Sequence, residues 1–261
     1  MWSIAKAQLF QLKKNRLLYI VFISLLAFQS MLVVMFMLMS QFEQINDPTM
    51  GGFLALQLPL STNFSLMFSL VAAAIICCAD FSDKTINYEP MNGHVRAHSY
   101  FGRALVSVTV GIIGFYILTF LPPCILAVIN GWGTGLNPVD FLIRALLMSL
   151  PVIRLLCEFV FLAFAVKNMY IAMLCGFIML TGTGALAGIS SSSSPFLALT
   201  SLNLFTRITT RATYGLMGNI YFIYDADIDI TQTAAVAAAS VFGAALFLFL
   251  GCVLFKNDDL N

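Results

Sequence analysis

The residues able to do chemistry are few, and most fall in one stretch. Asp80 to Arg103 reads DFSDKTINYEPMNGHVRAHSYFGR and carries Asp80, Asp83, Lys84, Glu89, Arg96 and Arg103, with both histidines, His94 and His98. The histidines stand at i,i+4, a spacing that can hold zinc on one helix face. A metalloprotease needs H-E-x-x-H, and here Val95 stands where the glutamate would be. A solvated loop face is the plainer reading. The run Ser190 to Ser194 lacks the second glycine of G-x-S-x-G, so it is a loop rather than a nucleophile elbow. The glycines of NGWGTGLNP, residues 130–138, follow no strand and precede no lysine, and no Walker A sequence occurs anywhere. Arg154 and Glu158 form an i,i+4 pair. Glu158 lies nine residues before Lys167, about 13 Å along a helix at 1.5 Å per residue, which places it near a bilayer midplane. Charges at that depth are costly and face a bundle interior, a cavity or a partner. The pair reads either as a pathway-lining gate or as a self-neutralised structural contact.

The elements that hold these residues are apolar. Of 261 residues, 60% are hydrophobic and 10% charged, against about a quarter charged in soluble domains. Mean hydropathy is +0.93. This composition specifies an integral membrane protein. A net charge of +1 argues against nucleic acid as a partner. The six cysteines lie in or beside apolar spans and include no C-x-x-C pair, so they read as small buried hydrophobes.

The fold predicted is all-α and polytopic, with six transmembrane helices in a single domain. Residues 1–16 form a basic amphipathic helix for the membrane surface, with Trp2, Ala5, Leu9 and Leu12 at helical spacing and Lys6, Lys13 and Lys14 elsewhere on the wheel. Spans follow at about 17–39, 53–79, 104–129, 141–166, 169–189 and 234–255. The run 17–39 is too long for a signal-peptide core and no A-x-A site follows it, so it reads as an uncleaved span. Pro122 and Pro123 are expected to kink or end the third span. Asp140 and Arg144 are a second i,i+4 pair, and Lys167-Asn168 a tight turn. Residues 190–233 combine a serine run, a short apolar stretch, two arginines and three aspartates, and read as short re-entrant or interfacial helices.

Basic residues orient the spans. With the N-terminus inside, Lys6, Lys13, Lys14, Arg16, Lys84, Arg96, Arg103, Lys167 and Lys256 are cytoplasmic, while Arg144, Arg207 and Arg211 face out. Both termini and the segment 80–103 are then expected on the cytoplasmic side of a plasma membrane, in a bacterial cell.

In that segment Asp80, Phe81, Thr85, Gly93, Arg96, Tyr100 and Arg103 follow one another in an order and spacing that resembles permease subunits of type 2 ABC transporters. There an acidic residue and an aromatic precede a threonine, a glycine, an arginine, and the aromatic and basic residues that open the third span. Lys84 stands where that family usually has glycine. The resemblance implies that Asp80, Phe81, Asp83, Lys84, Thr85, Glu89, Gly93, His94 and Arg96 belong to a coupling loop touching a separate ATPase subunit. It implies ATP and Mg on that subunit and no cofactor on this chain. It also implies a second permease copy or paralogue as a dimer partner, and export of an amphipathic peptide, toxin or drug, as in small bacterial lantibiotic and drug exporters. A gradient-driven secondary transporter and a non-transporting scaffold or immunity subunit are the alternative readings.

Overall fold

The structure is a computed structural model and describes residues 2–41, 49–82, 95–133, 138–189, 210–214, 220–224 and 230–257. In chain order these form α1 (Trp2–Lys14), α2 (Arg16–Gln41), α3 (Met50–Ser82), α4 (Arg96–Asn130), α5 (Pro138–Val166), α6 (Met169–Ile189), β1 (Thr210–Tyr214), β2 (Ile220–Tyr224) and α7 (Ile230–Asn257). The chain is an all-α polytopic membrane protein. Among the described residues five helical stretches are long and apolar enough to cross a bilayer: Arg16–Met39, Leu60–Phe81, Arg96–Asn130, Phe141–Val166 and Val236–Lys256. The expected fifth span is α6, 21 residues long and about 32 Å at 1.5 Å per residue.

Local chemistry sets the breaks. Asn15 separates the surface helix from the first span: its Oδ1 accepts from the Leu17 and Leu18 backbone N–H groups at 3.0 and 3.4 Å and caps α2. Asn168 does the same for α6, accepting from Tyr170 and Ile171. The preceding Lys167 turns the chain with φ 56°, a left-handed conformation uncommon for a residue with a Cβ. At the opposite end of the bundle, Gly131 stops α4 at φ 85°. The Gly131 and Trp132 carbonyls then accept from the Met50 and Gly51 N–H groups, occupying two orphan donors of α3.

Helix α3 is the axis of the bundle. Of its span, 72% is buried by protein, against 17% in each of the spans of α2 and α7, which form the outer sides. Its closest partner is α4, which has small residues where α3 is large. Gly114 leaves room for the Phe68 ring, and the Ser69 hydroxyl reaches the Gly111 carbonyl at 3.0 Å. Helix α5 packs on α3 and α7, and α6 on α3 and α5.

Two local expectations are corrected, at Pro122 and Pro123 and within 190–233. Pro122 and Pro123 do not end α4, which continues through both, buried, to Asn130. Proline is tolerated in a membrane helix because neighbouring helices and side chains satisfy the carbonyls it frees. On α1 the face against the bundle is Ile4, Ala5, Gln8 and Leu12, which leaves Trp2 and Leu9 exposed and available to a membrane surface. Arg144, expected toward the outer side of the membrane, is buried within the bundle, with 1% of its area exposed. Within 190–233, where short helices were expected, Thr210–Tyr214 and Ile220–Tyr224 pair antiparallel, with Ala212 opposite Phe222, and β2 lies against α3. Every residue of β2 is β-branched or aromatic, a composition that suits a ribbon better than a helix. The rest of that segment lies outside the described residues.

Candidate functional site

The ends of the charged segment meet inside the protein. Asp80 lies in the last turn of α3 and Arg103 two turns into α4, and both are buried. Arg103 donates to Asp80 Oδ2 twice, from Nη2 at 2.7 Å and from Nε at 3.1 Å. A third donor comes from α1: Gln8 Nε2 reaches the same oxygen at 2.8 Å. One carboxylate therefore ties three helices together. Charge-assisted bonds of this length are the strong ones, and burial keeps water from competing for them.

Aromatic rings pack around this clamp. Phe81 meets Phe164 and Phe255 edge-on, with centroids 5.8 and 6.2 Å apart. Tyr100, fully buried, packs on Phe164 at 4.7 Å, and its hydroxyl sits against Gly251 of α7. Edge-to-face geometry places the positive rim of one ring on the negative face of the next, so the cluster fixes the ends of α3, α4, α5 and α7 relative to one another. Arg96 extends the contact, its Nη1 donating to the Lys256 carbonyl at 3.3 Å.

Of the residues singled out in the sequence, Asp80, Phe81 and Arg96 are thus placed at one end of the bundle. Asp83, Lys84, Thr85, Glu89, Gly93 and His94 lie outside the described residues, and with His94 the proposed histidine spacing; His98 is exposed. The second ionic site is as expected from its spacing: Arg154 Nε and Glu158 Oε1 are 3.1 Å apart and both residues are buried. Gly243 of α7 covers the pair, since a Cβ there would lie 2.7 Å from Arg154 Cδ. The two ionic sites lie in different parts of the fold, the clamp between α1, α3 and α4 and the pair between α5 and α7.

Sequence reasoning missed Gln8 and the role of Arg103 as the direct partner of Asp80. A signal for Gln8 existed. It is the one polar residue in line with Ile4, Ala5 and Leu12, and a polar side chain on a buried face requires a partner. Comparison of the sequence with protein-family models gives no match, and comparison with curated proteins gives none.

Proposed function

We propose that this chain is the membrane-spanning permease subunit of an ATP-driven exporter of the type 2 ABC class. In this reading residues 80–103 lie on the cytoplasmic side and the loop between the buried anchors Asp80 and Arg103 touches a separate ATPase subunit, which holds ATP and Mg, while a second permease copy or paralogue completes the pathway. The substrate is an amphipathic or hydrophobic peptide, toxin or drug. The observation that carries the reading is the buried clamp of Gln8, Asp80 and Arg103.

A coupling loop works only if displacement of the loop moves helices rather than bending its own anchors. Here the anchors are joined by an ion pair in which Arg103 donates twice to one carboxylate oxygen, and the aromatic cluster binds them to α5 and α7. A push on residues 83–94 is therefore delivered to α3 and α4 as one body, and through Gln8 to α1. Interfaces packed this way are bistable rather than continuously deformable, which suits a two-state transporter.

The test is purification of tagged protein in mild detergent with mass spectrometry of its partners. Co-purification of an ATP-hydrolysing subunit, with loss of that subunit on changing Gly93 and Arg96 to acidic residues, is the expected result. A monodisperse transporter active with no nucleotide-binding partner overturns the reading.

A further inference from the structure

Three helices leave a groove open to the outside of the bundle. Phe101, Leu105 and Val108 of α4, Ile153 and Cys157 of α5 and Leu248 of α7 line it, and it holds about 430 Å³. That volume is in the usual range of small-molecule sites, roughly 300–1,000 Å³. Its walls are hydrocarbon: the hydroxyl of neighbouring Thr109 is taken by the Leu105 carbonyl at 2.7 Å. Phe101 and Leu105 keep 38% and 45% of their surface exposed, so the groove is entered from the side, at membrane depth.

Among the described residues, one end of the groove is basic. His98, exposed, continues the Phe101–Leu105–Val108 stripe one turn toward the start of α4. Lys256, also exposed, lies eight residues beyond Leu248, about 12 Å along α7. The Arg96 contact to the Lys256 carbonyl brings these two helix ends together. Asp80, at the same end of the bundle, is already engaged by Arg103 and Gln8. Asp258 and Asp259 lie outside the described residues. A hydrocarbon slot with cations at its mouth matches an anionic amphiphile, because basic side chains at a membrane surface attract anionic headgroups while their stems lie along apolar surface.

We infer that this groove binds one anionic membrane phospholipid, its acyl chain between α4, α5 and α7 and its phosphate at His98 and Lys256. The site does not depend on the transport reading above.

The test uses the full chain in nanodiscs containing diazirine-tailed phosphatidylglycerol or phosphatidylcholine at equal mole fraction, with crosslinked peptides mapped by mass spectrometry. Labels should concentrate on residues 101–109 and around Leu248, with phosphatidylglycerol favoured on the order of fivefold. Leu105→Trp, at an exposed position, should fill the groove and lower this labelling several-fold while labels on Ile20 and Ile23 of α2 stay unchanged. His98→Glu with Lys256→Glu should abolish the preference for phosphatidylglycerol and leave phosphatidylcholine labelling in place. Groove labelling no higher than that on α2, labelling indifferent to Leu105→Trp, equal labelling by the two lipids in the unaltered protein, or a preference that survives charge reversal would each overturn the inference.

Discussion

Replacing Arg103 by methionine should leave the Asp80 carboxylate buried without its cation. Methionine keeps most of the apolar stem, so the change isolates the charge. Arg103 is 1% exposed and donates to Asp80 Oδ2 at 2.7 and 3.1 Å, while Gln8 donates to the same oxygen at 2.8 Å. Removing one member of a buried ion pair costs about 3–5 kcal/mol, because the remaining charge keeps its desolvation penalty. The Gln8 bond to a charged acceptor offsets part of that, about 1.5–3 kcal/mol, and places Arg103→Met toward the lower end of the range. Asp80→Asn should cost a similar amount by stranding Arg103. The double change Asp80→Asn with Arg103→Met removes both charges and should lose at least about 2 kcal/mol less than the sum of the single changes. Equilibrium unfolding by SDS in mixed micelles, followed by Trp2 and Trp132 fluorescence, measures all four proteins. Additivity within about 0.5 kcal/mol would refute the reasoning, since independent sites add to that tolerance.

Four further outcomes follow from the packing. Gly114→Ala puts a Cβ into the Phe68 ring and should destabilise by about 1–3 kcal/mol in the same assay, whereas Gly182→Ala, which has nothing within 4 Å, should change stability by less than about 0.5 kcal/mol. Gly251→Ala should push Tyr100 off Phe164 and Phe255 and lower the thermal midpoint; an unchanged midpoint would show that the cluster gives way freely. Glu158→Gln should cut yield and stability by stranding Arg154, and Arg154→Met in addition should restore most of both if the pair is structural; a loss of transport at normal yield would instead make it part of a pathway. Single cysteines replacing exposed Val128 and exposed His98, in a chain with its six native cysteines removed, should be labelled from opposite sides of a sealed membrane. Labelling of both from one side would contradict the span of α4.

What the sequence by itself determined is whatever depends on neighbours along the chain. Apolar runs of bilayer length gave the spans, because hydrocarbon rejects a backbone that is not internally bonded. Lys167-Asn168 announced its turn, and Arg154 with Glu158 announced its pair, since four residues is one helical turn. Tertiary structure decided the contacts that close over long stretches of chain. Gln8 and Asp80 are 72 residues apart, and no local spacing predicts that one meets the other. Asp80 and Arg103 each looked like loop charges because both flank a polar segment, yet packing of α3 on α4 turns them inward against each other. Pro122 and Pro123 carry a strong local instruction to stop a helix, and burial of α4 among its neighbours overrides it. The same holds for α1: its wheel offers two apolar faces, and only the bundle's shape selects the one bearing Gln8. A hydropathy profile measures how much a residue prefers to leave water, but not which neighbour it will meet when it does.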